Sequence, residues 1–287
     1  VVIDKKMMKI LWPSSYLMLS LVQNFVALAT ASSQPNIVFI LADDLGWNHV
    51  SWHNQGVISP RMQELVDAGV RLEKNYVQPI CTPSRAALLT GMYPFHLGRQ
   101  GKVLMVGKPT GVSLNFTFLP ELLQGLGYST HAVGKWHVGF CDWKYTPLRR
   151  GFETFYGLYG GKSDYYKHVS KGGFDWRDQE RVAVEVAGTY STDLVTKRAV
   201  EIILDQPARE IPMFLYLPYQ NVHEPYQAPD EYFNMYPKVG DNHVRYTLAS
   251  VTAMDNSIGM VVDALKTAGI YENTIIIFSS DNGGAVQ

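Results

Sequence analysis

From Pro35 onward, apolar runs and helically spaced apolar positions alternate along the chain. Asn36-Ile37-Val38-Phe39-Ile40-Leu41-Ala42 is a near-continuous apolar run, partly β-branched, bounded by Pro35 and by Asp43-Asp44. Such a run predicts a strand covered on both faces, as in a parallel sheet. Residues 61–68 carry Met62, Leu65 and Val66 at helical spacing and stop at Gly69. A second helix is predicted over 84–90, with Pro83 in its first turn and Gly91 at its end. A short helix over 119–126 precedes a short strand over 130–133, and 190–204 reads as a helix that ends before Pro207. Residues 212–217 form another buried strand. The stretch 244–268 is a long helix with Met254, Ile258, Val261, Val262 and Leu265 on one side, and 274–278 is a strand followed directly by Asp281-Asn282-Gly283. This alternation predicts an α/β fold, a three-layer α/β/α arrangement around a mostly parallel sheet, with ligands beyond the carboxyl ends of the strands.

The first thirty residues follow a different pattern. Lys5, Lys6 and Lys9 precede a charge-free, mostly apolar stretch that ends in Ala29-Thr30-Ala31. A basic start, an apolar stretch and small residues at a cleavage spacing predict a secretory signal peptide over 1–31. An uncleaved anchor is the rival, since the stretch approaches spanning length. Pro13, Ser14, Ser15, Gln23 and Asn24 interrupt it and favour cleavage, with no stable membrane span afterwards. Met7 or Met8 is a more natural start than Val1, so the first few residues read as a translation artefact. The sequon Asn115-Phe116-Thr117 agrees with secretion.

Composition narrows the classes further. The 287 residues are 46% apolar and 18% charged, enough to build a large core. A balance of 25 basic and 26 acidic residues argues against a nucleic-acid partner. Cys81 and Cys141 cannot build a disulfide scaffold or a four-cysteine zinc site.

The polar clusters fall where the predicted strands end. Asp43 and Asp44 follow the first strand, and Asp281 and Asn282 follow the last. An isolated Asp pair is most often a solvated turn. Two such oxygen-rich pairs at the carboxyl ends of parallel strands suit one hard cation, Ca²⁺ or Mg²⁺. Cys81-Thr82-Pro83-Ser84-Arg85 opens a helix, where free N–H groups favour an anion or a nucleophile. A lone Cys is more often a buried small hydrophobe, but Pro83 and Arg85 disfavour that reading. Gly134-Lys135-Trp136-His137 and His223-Glu224-Pro225 are expected in strand-end loops, bringing a cation and titratable groups to the same end. His49, His53, His96, His131, His168 and His243 lack such company and read as structural or surface histidines. Asp255, inside the long helix, reads as a solvated or capping group.

These residues resemble the sulfatase family of the alkaline-phosphatase-like superfamily. Cys81-Thr82-Pro83-Ser84-Arg85, running on to Leu88-Leu89-Thr90-Gly91, is similar to the first sulfatase signature. Gly127-Tyr128-Ser129-Thr130 with Gly134-Lys135-Trp136-His137 is similar to the second, and Asp43-Asp44 and Asp281-Asn282-Gly283-Gly284 resemble the metal-binding segments. The likeness covers residues 35–287. Gln78-Pro79-Ile80-Cys81, Arg149-Arg150-Gly151-Phe152, Ser163-Asp164-Tyr165-Tyr166 and Val222-His223-Glu224-Pro225 look most like the arylsulfatase B, or N-acetylgalactosamine-4-sulfatase, branch.

The resemblance implies a sulfuric ester hydrolase acting on sulfated sugars or aryl sulfates. It implies that Cys81 is converted to formylglycine by the formylglycine-generating enzyme, the hydrated aldehyde then serving as nucleophile toward sulfur. One Ca²⁺ per chain is implied, held by Asp43, Asp44, Asp281, Asn282 and the modified Cys81. Arg85 and Lys135 are implied to stabilise the diol and the sulfate, His137 to take the proton as sulfate is eliminated, and His223 to serve the leaving oxygen. The implied location is the secretory pathway, lysosomal or extracellular. The family has a further active-site lysine beyond the Asp-Asn-Gly segment and a smaller C-terminal domain, neither found here. Residues 32–287 are therefore expected to be an incomplete N-terminal catalytic domain, with weak or absent activity alone and Cys141 without a partner. The competing readings are an inactive sulfatase-like chain that only binds sulfated ligands, and a phosphatase or phosphonate-ester hydrolase of the same superfamily. The Ser or Thr nucleophile and His-rich two-metal sites usual in the latter are not matched. Loops 95–115 and 160–190 are expected to shape the substrate pocket.

Overall fold

The computed structural model describes residues 34–171, 173–206 and 211–284, together with the backbone of residues 2–4. The elements in chain order are β1 (Val2–Asp4), β2 (Asn36–Ala42), α1 (Pro60–Ala68), β3 (Gly69–Arg71), α2 (Cys81–Thr90), α3 (Leu119–Gly125), β4 (Ser129–Lys135) and β5 (Thr154–Leu158). There follow the two-residue strands β6 (Val169–Ser170), β7 (Gly173–Phe174), β8 (Arg177–Asp178) and β9 (Arg181–Val182), then α4 (Ser191–Asp205), β10 (Met213–Pro218), α5 (Asp230–Phe233), α6 (Asn242–Thr267) and β11 (Thr274–Ser280). Apart from β1, the expected leader lies outside the described residues.

The main sheet runs β3-β1-β11-β2-β10-β4-β5-β8-β9. Its five central strands, β11, β2, β10, β4 and β5, are parallel, and the outer strands are antiparallel. The period-2 geometry of a strand splits the apolar run of β2 between two cores. Val38, Ile40 and Ala42 join Met213, Leu215 and Leu217 of β10 in a core with α4, α6 and α1. Ile37, Phe39 and Leu41 face the other way with Phe214 and Tyr216, toward α2, α3 and the Trp136–Phe152 pair. Helices on both faces of a largely parallel sheet make the three layers expected from the sequence.

Two of the boundaries that differ from expectation position the site. The strand expected over 130–133 continues through Gly134 and Lys135, so Lys135 ends a strand instead of lying in a loop. Gly134 adopts φ +135°, and a Cβ there would lie 2.1 Å from the Pro218 carbonyl oxygen. Only glycine lets β4 run this close to β10. Cys81 is the first residue of α2, with Ile80 as its N-cap. The strand Thr154–Leu158 escaped the sequence reading because Gly157, at φ +148°, breaks its apolar run.

Asp255 caps another helix from inside α6. Its two carboxylate oxygens accept hydrogen bonds from the Arg61 and Met62 amides at 3.1 and 2.7 Å, satisfying donors at the start of α1. Burial pushes its carboxyl up to about 6, against those two amide bonds and the Arg61 charge. The folded protein therefore binds this proton at a higher pH than the unfolded chain does. The group's contribution to stability grows as pH falls through about 6 and is complete below the unfolded value. Comparing urea unfolding at pH 7.5 and pH 5, wild type should gain stability relative to Asp255→Asn. An unchanged difference between the two proteins would contradict this.

Candidate active site

Backbone hydrogen bonds tie the ends of β2, β10 and β11 together. The Asp43 amide donates to the Asn221 carbonyl at 2.8 Å, the Val222 amide to the Asp43 carbonyl at 2.6 Å, and the Asp281 amide to the Ala42 carbonyl at 2.9 Å. These bonds fix where Asp43, Asp281 and the His223 loop lie. Asp44 takes a left-handed φ of +57°, which Asp tolerates better than most residues, and its amide points toward Asp281 Oδ1 at 3.4 Å.

Asp43, Arg85, Lys135 and Asp281 are all buried. Arg85 Nε donates to Asp281 Oδ2 at 2.9 Å, and Arg85 Nη1 donates to the Lys135 carbonyl at 3.0 Å. Lys135 Nζ donates to Asp43 Oδ2. Arg85 Nη2 lies 3.8 Å from Asp43 Oδ1 without hydrogen-bonding to it. Burial, then the nearby Asp281 charge, pushes the Asp43 carboxyl well above its ordinary range, while Lys135 and Arg85 pull it down. Burial works against the Arg85 charge, but Asp281 leads a set of neighbours that raises it, so the guanidinium stays protonated.

Cys81 is buried at the N-terminus of α2. Its sulfur and one carboxylate oxygen each of Asp43 and Asp281 lie within 4.8 Å of one another. Burial raises the thiol and Lys135 opposes that rise, so a thiolate is disfavoured here. Thr82 Oγ1 donates to the His137 carbonyl and accepts from the Leu104 amide, both at 3.1 Å, tying α2 to the loops on either side.

His137 is buried at φ +59°, with Nε2 3.1 Å from the Leu104 carbonyl. A carbonyl only accepts, so Nε2 carries the proton and Nδ1 offers a lone pair. Nδ1 is buried and has no partner among the described residues. Burial, followed by Lys135 and Arg85, lowers the imidazole well below its ordinary value, so the ring is neutral. A Cβ on Gly161 would come within 2.5 Å of the ring, so the imidazole seats on a bare backbone. His223 donates Nδ1–H to the Glu224 carbonyl at 2.8 Å, which turns Nε2 to within 3.8 Å of Asp44 Oδ2. Burial and then Lys135 lower its imidazole, while Asp44 opposes them.

Asp43, Asp44, Cys81, Arg85, Lys135, His137, His223, Asp281 and Asn282, the candidate site residues of the sequence, thus come together at one end of the parallel sheet. The structure adds Thr82, Gly161 and the Leu104 carbonyl, contacts between distant loops that leave no local sequence signal. It also adds His49, whose Nδ1 accepts from the Gly46 amide at 3.1 Å. His49 lines a 220 Å³ groove with Asp44, Tyr226 and His243. Its position five residues after Asp44, in the same strand-end loop, was the available hint. A larger cleft of 440 Å³ between α2 and the β2–β11 edge is mostly apolar and contains none of the predicted site residues.

The donor set fits a hard cation. Asp43 Oδ1 and Asn282 Oδ1 are buried without hydrogen-bond partners among the described residues, and Asn282 Nδ2 donates to Asp44 Oδ1 at 2.5 Å. Asp43, Asp44 and His223 each offer an atom within 4.8 Å of the others, and Asp43, Cys81 and Asp281 form a second such group. Orphaned oxygens among mutually repelling carboxylates are what Ca²⁺ or Mg²⁺ neutralises, and Asp43, Asp44, Asp281 and Asn282 are the residues that would hold it.

The sulfatase family model matches residues 35–287. The chain belongs to the sulfatase family. Among its relatives, it is 42% identical to mouse arylsulfatase J over 259 residues, covering 88% of this chain and 43% of that protein. It is 31% identical to mouse N-acetylgalactosamine-6-sulfatase, covering 90% of this chain and 52% of that protein. Its fold is similar to the crystal structure of Ps i-CgsB in complex with k-i-k-neocarrahexaose, with TM-score 0.81 and 34% identity over 88% of this chain and 59% of that one. A phosphonate monoester hydrolase of Agrobacterium radiobacter, at TM-score 0.62 and 17% identity, shares the fold. The chain spans about half the length of the curated relatives it matches.

If this sulfatase-family site holds one hard cation, calcium should raise the thermal unfolding midpoint of the chain in proportion to the logarithm of its concentration above Kd. Asp43→Ala and Asp281→Ala should lose that dependence. An equal calcium response in wild type and both variants would rule out these ligands.

Proposed function

We propose that the protein is a sulfuric ester hydrolase of the arylsulfatase type, with site loops that resemble those of arylsulfatase B, acting on sulfated carbohydrates or aryl sulfates. The observation that carries this reading is the position of Cys81. It opens a helix, sits beside Asp43 and Asp281, and is flanked by Arg85 and Lys135, in a place that disfavours its own thiolate. A cysteine so placed is a poor nucleophile in its own right and a well-positioned precursor of one. In this proposal the formylglycine-generating enzyme of the secretory pathway oxidises it with dioxygen, the Cβ–S bond breaking and the sulfur leaving as sulfide, and the resulting carbonyl hydrate supplies a hydroxyl nucleophile that a thiol does not. Calcium, if held by Asp43, Asp44, Asp281 and Asn282, would supply Lewis-acid polarisation of the sulfate oxygens.

The remaining work falls to side chains of this chain. Arg85, held by Asp281 and the Lys135 carbonyl, fixes a positive charge behind residue 81. Lys135 reaches from the end of β4 to Asp43 and, in this proposal, contacts the sulfate. Together they offset the negative charge that builds as the S–O bond breaks. His137 presents a neutral Nδ1 lone pair, as a proton acceptor during sulfate release requires. His223 turns Nε2 toward Asp44, and in this proposal its protonated ring donates from Nε2 to the leaving oxygen.

Lysosomal or extracellular residence belongs to the same proposal. The predicted leader supports it, as does Asn115, which is exposed and open to glycosylation. No described helix is long and apolar enough to cross a membrane.

Mass spectrometry of the Cys81 peptide, from protein secreted by a host with formylglycine-generating activity, should show the thiol replaced by an aldehyde oxygen. Arg85→Ala and Cys81→Ser should abolish that conversion or the product's reactivity toward hydrazides. An unmodified thiol in such protein would overturn the proposal.

A further inference from the structure

The stretch from Asn75 to Pro120 contains no Asp or Glu, and its charged residues are Arg85, Arg99, Lys102 and Lys108. Arg85 is consumed by the buried site. The other three line one 400 Å³ cavity formed by the loop from Gly98 to Thr110. Arg99 is pinned there, its Nη2 donating to Thr110 Oγ1 at 2.6 Å and to the Gly111 carbonyl. Its Nε is buried with no acceptor among the described residues. Lys102 and Lys108 are exposed, and no described carboxylate pairs with either. Asp175 lies behind Val106, but its two oxygens accept the Tyr159 and Gly160 amides at 2.9 and 2.8 Å.

The same loop touches the candidate active site. Leu104, between Lys102 and Lys108, accepts from His137 Nε2 through its carbonyl and donates through its amide to Thr82, the neighbour of Cys81. An anion held by the cations would therefore sit on the loop whose Leu104 contacts Thr82 and His137. An unbalanced cluster of this kind is a cost to the free protein through mutual repulsion, and a neighbouring anion removes it.

We propose that the Gly98–Thr110 loop is a second anion subsite, holding an additional sulfate on a multiply sulfated oligosaccharide whose scissile sulfate sits at Cys81. Arg99 is the fixed donor, and Lys102 and Lys108 are the adaptable ones. The inference rests on the sulfatase reading of the main site and adds a second point of contact, at Arg99, Lys102 and Lys108, between this chain and its substrate.

Calorimetric titration of the whole chain, in buffer containing calcium, tests it with two probes. One is a galactosaminoglycan hexasaccharide sulfated on every disaccharide, the other the same hexasaccharide sulfated once. Wild type should bind the fully sulfated probe more tightly, with the steeper salt dependence. Lys102→Gln with Lys108→Gln, both exposed and safe for folding, should weaken that probe about fivefold, the loss of roughly two solvent-exposed ion pairs. It should leave the singly sulfated probe unchanged. Equal affinity of wild type and double variant for the fully sulfated probe would overturn the subsite and leave the main reading intact. Preference of wild type for a phosphorylated over a singly sulfated hexasaccharide would instead strike the main reading, whatever the lysines do.

Discussion

Two carboxylates, Asp43 and Asp281, are carried into the interior at the ends of adjacent parallel strands, and the surrounding site answers their repulsion. Unit charges within 4.8 Å repel by roughly 3 to 4 kcal/mol at an effective dielectric of about 20. Arg85 takes one oxygen of Asp281, Lys135 takes one of Asp43, and the orphaned Asp43 Oδ1 keeps a demand for more positive charge. The cations needed by the carboxylates are the same ones that suit a sulfate. In the proposed function, structural neutralisation and recognition of an anionic ester use one set of residues. Removing either cation should harm both, because a charge left alone in a buried site is far more costly than a balanced pair.

Topology makes this crowding possible. β11, β2, β10 and β4 are parallel neighbours, so their following loops meet at one edge. Hydrogen bonds between those loops hold Asp43 against Asn221 and Asp281 against Ala42, so the polar ends are cross-braced before any side chain acts. The polar ends are rigid because the strands beneath them are buried on both faces.

Much of this was legible in the sequence. Unbroken apolar runs such as 36–42 and 212–217 announced buried parallel strands, and the polar groups following them marked the edge where the candidate site lies. The pairing of Cys81 with Arg85 one helical turn on, and the Gly-Lys-Trp-His run, pointed to the same chemistry. What remained hidden depends on contacts between distant segments. Lys135 reads locally as a loop residue because Gly134 breaks the pattern, yet the closeness of Pro218 makes Gly134 the residue that lets the strand continue. The seat of His137 on Gly161, its bond to Leu104 and the charge imbalance of the 98–110 loop follow from how the loops fold together. Asp255 read as a solvated or capping group, but the helix it caps, α1, is distant in sequence and only the fold reveals it.

A crystal structure of the chain grown with calcium and a non-hydrolysable sulfate ester tests the central claim most directly. A single cation should appear about 2.3–2.6 Å from oxygens of Asp43, Asp44, Asp281 and Asn282, with the ester's sulfate between it, Lys135 and residue 81. A pair of metal ions ligated through histidines, or an ester bound away from residue 81, would contradict the account.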